Sequence, residues 1–173
     1  MSTLSALALS PSFGRARIWS DVPRWFFIVN FWVTAVWLAA APLLLIWPES
    51  IKYNLDGSLV SVAGQPMPER LYAVAAVLVR TLPALVLLYH AIKIFGRFAK
   101  GEVFAAAPIA HIRAAGFWTI IWAFAPSAAQ LLLEHHVRIK FEPALLAFGV
   151  ATFIAAHVMG EARRIADENA SIL

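Results

Sequence analysis

Four stretches of this chain, at residues 25–47, 71–95, 116–133 and 144–160, are almost free of charge. Each runs for roughly 17 to 25 residues, the length a helix needs to cross a hydrocarbon core of about 30 Å. Unbroken apolarity over that length marks a helix that has lipid rather than water around it. The pattern predicts an all-α membrane protein with four transmembrane helices, forming a single integral domain over residues 1–173.

Between the first two stretches the pattern switches to alternation. Ile51, Tyr53 and Leu55 alternate with Lys52 and Asn54, Asp56-Gly57 supplies a two-residue turn, and SLVSV leads back. This is the signature of a β-hairpin, with Tyr53 opposite Val60 and Ile51 opposite Val62. A lone hairpin is marginal in water, and Val137, Ile139 and Phe141, alternating with Arg138 and Lys140, offer a third strand. A small extracytoplasmic β-hairpin or three-stranded sheet is therefore expected to cap the bundle.

Charge sets the orientation. Residues 93–113 hold Lys93, Arg97, Lys100 and Arg113, with His111 beside them, against the single acid Glu102. Short basic loops stay on the cytoplasmic side, so both termini are expected inside. Arg15, Arg17 and Arg24 ahead of the first stretch agree. That stretch is too long for a signal-peptide core, and Pro42 directly follows the candidate Ala-Ala-Ala cleavage site, so it reads as an uncleaved span. With 61% hydrophobic and 14% charged residues, the chain is more apolar than a soluble domain of its size. The net charge of +4 sits beside the spans, as orientation signals do, which argues against direct nucleic-acid binding. The absence of Cys excludes disulfides and thiolate metal sites.

Within this frame a few residues stand out. Lys93, Arg97 and Lys100 recur at helical spacing, with Ile94, Phe95 and Phe98 on the other side and Gly101 placed to stop the helix. This reads as a basic extension at the lipid surface, either a topology anchor or a docking face. Along the fourth stretch, Ala147-Ala151-Ala155 and Thr152-Ala156-Gly160 form two ladders of small residues, which suggests packing on more than one side. Arg163 with Asp167, and Arg164 with Glu168, are spaced to pair along a helical tail.

Arg80 lies within the second stretch, where a guanidinium is costly and no acid lies within a span to meet it. It reads as a bolt onto backbone carbonyls freed by Pro83 and Pro126, at Val79 and Trp122, or as the centre of a cavity for an anionic ligand or lipid. His90 and His157 fall at matching depth, as axial ligands of a haem would. Glu134 with His135-His136 offers metal-ligating groups, though adjacent residues point apart on a helix. A Gly-rich phosphate loop, Gly-x-Ser-x-Gly, paired intramembrane carboxylates and a Cys nucleophile are all missing. No enzymatic activity, cofactor or metal is expected.

At FAKGEVF, residues 98–104, followed by HIRAAGFW, the chain resembles a bacterial family of four-span inner-membrane proteins known only as a domain of unknown function. The tail, with Asp167-Glu168-Asn169, fits the same family. The chain departs from it at Ala105, Ala106 and Ala107, where more polar residues are usual, and in having one basic residue, Arg113, where two are common. The resemblance implies a bacterial inner-membrane location and small helix-turn-helix regulators as partners. Together the readings predict a non-enzymatic interaction protein that binds a cytoplasmic partner or serves a larger membrane complex as an accessory subunit. Its expected contact residues are Lys93, Arg97, Lys100, Glu102, Phe104, Arg163 and Arg164. The alternative is a binder or transporter of a small molecule, lipid or haem, built on Arg80 or on His90 and His157.

Overall fold

The computed structural model describes residues 11–47, 52–55, 58–61, 63–134 and 139–171. In chain order these form α1 (Pro11–Ala40), α2 (Leu43–Ile46), β1 (Lys52–Leu55), β2 (Ser58–Ser61), α3 (Met67–Phe98), α4 (Ala106–Glu134) and α5 (Pro143–Ala170). By length and composition, four helices can cross a membrane, at Asp21–Ala40, Met67–Phe98, Ala106–Leu133 and Pro143–Ala170.

The helix boundaries differ from the apolar windows for local reasons. The first span ends at Ala40 rather than residue 47. Pro42 has no N–H to continue the ladder, the Ala41 N–H bonds instead to Leu38 O at 3.2 Å, and a short α2 resumes beyond. α3 covers 32 residues, about 48 Å at 1.5 Å per residue. It runs without a break through Lys93 and Arg97, so the basic extension forms the last turns of this one long helix. Its end is closed by Gly101 at φ +80°, with the Gly101 N–H on Phe98 O at 2.9 Å and the Glu102 N–H on Arg97 O at 3.1 Å. That pair of bonds is a Schellman motif, which needs a residue tolerant of positive φ. α4 begins at Ala106, well before residue 116, and α5 carries the tail helically to Ala170.

α1 packs on α3, α3 on α4 and α4 on α5, while α2 rests on α3. Among the described residues α1 and α5 share no extended contact, so the helices of the bundle form an open row in chain order. The buried side chains are mostly small: Ala73, Ala76, Ala115, Ala123, Ala125, Ala129 and Ala156. The large ones face outward, among them Trp25, Phe26, Trp32, Phe117, Phe148 and Ile154. An apolar exterior of this extent belongs in lipid, where helices associate through close backbone approach and have no hydrophobic drive to bury bulk.

The closest approach joins α4 and α5. A Cβ placed on Gly116 would stand 2.8 Å from Phe153 N and 2.9 Å from Gly149 O, and one on Gly149 would meet Gly116 O at 3.0 Å. Ala156, fully buried, and half-buried Thr152 and Gly160 continue this interface. Ala147, Ala151 and Ala155 are exposed. Within the chain α5 is therefore packed on one side, where the two ladders had suggested more.

β1 and β2 pair antiparallel, with Tyr53 opposite Val60 and Leu55 opposite Ser58. Ile51, Val62, Val137 and Arg138 lie outside the described residues. The expected third strand does not form over residues 139–141, which are irregular. Their backbone is engaged elsewhere: the Lys140 N–H donates to Ser127 Oγ at 2.8 Å, the Ser127 hydroxyl donates to Lys140 O, and the Glu142 N–H donates to Ala123 O at 3.0 Å. The segment before α5 thus folds back about three turns, some 16 Å, along α4. Arg70 ties this end together, its Nε donating to Gln65 O at 2.9 Å and its Nη1 to Leu45 O at 3.4 Å.

Candidate functional site

The end of the row opposite the hairpin carries most of the charge, and the packing divides it into two concavities. The first opens between α1, α3 and α4. Lys93 and Arg97 lie one turn apart on α3, Lys100 follows in the turn after it, Arg24 comes across from α1, and His111 from α4, around a cleft of about 380 Å³ that Tyr89 also lines. Arg24 lies over Gly96, its Nε 3.6 Å from where a Cβ would stand. One turn below, Phe27 stacks on Phe95 with centroids 5.4 Å apart, fixing α1 to α3. Lys93 Nζ sits 5.4 Å from the centre of the Tyr89 ring, a cation–π contact. Arg97 holds Glu102 at 2.8 Å. His111 Nδ1 lies 3.1 Å from His90 Nδ1, so one nitrogen donates and the other accepts.

The second concavity, of about 570 Å³, lies between the start of α4 and the end of α5. Ala106, Ile109, Ala110 and Gly160 floor it, and Arg113, Arg163, Arg164, Asp167, Glu168 and Ser171 rim it. The tail pairs form along α5: Arg163 with Asp167 at 3.4 Å, and Arg164 with Glu168 at 3.6 Å and Glu161 at 3.1 Å. All are exposed and contribute little to stability, so they arrange the rim more than they hold the fold.

The expected contact residues are divided between the two concavities. Lys93, Arg97 and Lys100 face the first cleft, Arg163 and Arg164 the second, and Phe104 is exposed on the connection between α3 and α4. Arg24, read as an orientation signal, and Tyr89 were not expected at a site, because nothing in the apolar runs says that α1 lies against α3.

Arg80 is half-buried and lines a cavity of about 540 Å³ with Pro126, Lys140, Phe141 and Glu142. No acid was expected near it, yet the fold-back of residues 139–142 brings a carboxylate to its level from outside the spans. His90 and His157 do not meet: α3 and α5 both pack on α4, His157 is exposed, and the partner of His90 is His111. The pairing needed for axial haem ligation by these two is absent. His135 and His136 lie outside the described residues, among which no group of three metal-ligating side chains occurs.

No family model, curated protein or solved structure matches this chain.

Proposed function

We propose that this is a non-enzymatic multi-pass protein of a bacterial inner membrane, with both termini and residues 93–113 in the cytoplasm, and that it holds a cytoplasmic protein partner. The orientation rests on charge, since Lys93, Arg97, Lys100 and Arg113 gather at one end of the spans and short basic segments stay inside. The hairpin then lies on the extracytoplasmic side.

The observation that carries the docking role is the concavity between α4 and α5. Its floor is small and apolar and its rim bears both signs of charge. A face serving lipid alone needs only basic groups. A floor for apolar anchors inside a rim of Arg113, Arg163, Arg164, Asp167 and Glu168 suits a helical segment of another protein. The resemblance at residues 98–118 supplies the partner class, a small helix-turn-helix regulator.

Site-specific photocrosslinking tests the assignment. A photoreactive residue at Ala110, in the floor, is expected to capture a soluble protein, and one at Phe148, on the lipid face of α5, is not. Arg164→Glu should abolish the Ala110 product while membrane insertion is unchanged. Capture of the partner from Ile139, at the hairpin end, in place of Ala110 would overturn the reading.

A further inference from the structure

The cleft between α1, α3 and α4 plays no part in that docking role, and its electrostatics are unbalanced. Arg24, Lys93, Arg97 and Lys100 converge on it, and among the described residues no carboxylate lines it. Glu102 neutralises Arg97, and among the described residues Arg24, Lys93 and Lys100 form no ion pair. Like charges drawn around one cavity repel, and three helices contribute to it, so the fold works against its own electrostatics here. An anion in the cleft turns that repulsion into attraction.

We propose that this cleft binds a phosphate group. Guanidinium and ammonium groups together are the usual set for phosphate: Arg supplies a planar fork and Lys a mobile point charge. Tyr89 offers a hydroxyl, and His111, with Nδ1 engaged by His90, presents Nε2 as its remaining ring nitrogen. At about 380 Å³ the cleft holds a phosphate and its substituent. Two features preorganise the site. Gly96 gives Arg24 room to lie across α3, and the Phe27–Phe95 stack fixes the distance between the two helices. The cleft also stands at the end of the spans, beside the apolar ring of α1, where a phospholipid headgroup would lie. A membrane lipid and a soluble phosphate compound share the recognised group, and one experiment separates them.

The purified protein is placed in nanodiscs of phosphatidylcholine mixed with phosphatidylglycerol, and the lipids that stay with it on release are identified by native mass spectrometry. In parallel, inorganic phosphate is titrated into detergent-solubilised protein and thermal stability is read. Retention of phosphatidylglycerol that drops roughly ten- to thirtyfold in Arg24→Gln/Lys93→Gln supports the site with a lipid as its source, on the scale expected for two charges near a membrane surface. Stabilisation by phosphate that the same double variant loses supports it with a soluble source. Lys100→Gln alone, an exposed change on the last turn, should show a smaller loss of the same kind. Lys140→Gln, which removes an equal charge at the other end, should show none. If neither phosphatidylglycerol nor phosphate distinguishes wild type from the cleft variants, or if Lys140→Gln matches them, the proposal is wrong.

Discussion

The crossing of α4 and α5 makes the sharpest prediction, because its neighbours are backbone atoms that cannot rotate aside. In Gly116→Ala the new methyl would sit 2.8 Å from Phe153 N, 2.9 Å from Gly149 O and 3.2 Å from Phe153 Cα. Ordinary contacts of this kind begin near 3.4 Å, so α5 must retreat by about half an ångström and loosen the rest of its interface. Overpacking of this sort costs about 1–3 kcal/mol. Alanine also gains about 1 kcal/mol of helix propensity over glycine, which would hide part of the loss. Gly160→Ala removes that ambiguity. It lies on the same helix as Gly149, its nearest neighbours would be Arg113 Nη2 at 3.9 Å and Ile109 Cγ2 at 4.0 Å, and it gains the same propensity without a clash. The difference between the two variants isolates the crossing and should be about 1–3 kcal/mol, with Gly116→Ala the less stable. Reversible unfolding in mixed micelles of mild detergent and SDS, followed by far-UV circular dichroism, measures it. Equal stability of the two variants would refute the close approach. Gly149→Ala combined with Gly116→Ala should cost less than the sum of the singles, because one displacement of α5 relieves both.

Further outcomes follow from other contacts. Single cysteines in this Cys-free chain report orientation: with a membrane-impermeant thiol reagent on intact cells, Lys140→Cys should label and Lys100→Cys should not, and the reverse pattern would invert the topology. Ser127→Ala should lower stability by about 1 kcal/mol and speed hydrogen exchange at Lys140, since that amide loses its acceptor. His90→Ala and His111→Ala should each destabilise, and the double variant by less than their sum, because either change alone already breaks the shared hydrogen bond. Additive losses would mean that the two rings do not interact.

The number of spans was legible because a run of about 20 apolar residues has few other fates. The tail pairs were legible too, since i, i+4 spacing is local and Arg163–Asp167 and Arg164–Glu168 form as spaced. What sequence could not reveal is which helix lies beside which. In lipid both buried and exposed faces are apolar, so the pattern that separates core from surface in water is missing. The ladder at Ala147, Ala151 and Ala155 looked as good an interface as the one at Thr152, Ala156 and Gly160, yet among the described residues the first is exposed and the second packs against α4. Gly116 and Gly149 stand isolated in sequence and acquire meaning only when α4 crosses α5. Arg80 appeared to lack an acid because Glu142 sits outside every apolar window, and the fold-back that carries it there is held by Ser127 and by the carbonyl of Ala123. Arg24 read as a topology signal, and its place in the cleft depends on α1 lying against α3.

The open row has a consequence for how the protein is made. α3 meets α1, α4 meets α3 and α5 meets α4, so each helix after the first enters the bilayer beside one that it packs on. Each span waits only for the next one in the row, and every contact joins neighbours in that row. Contacts of that local kind form early and rapidly, and insertion and assembly can proceed in step with synthesis from the N-terminus onward. A ribosome stalled after α4 would leave behind a three-helix array already packed as in the finished protein, with the face around Gly116 awaiting α5.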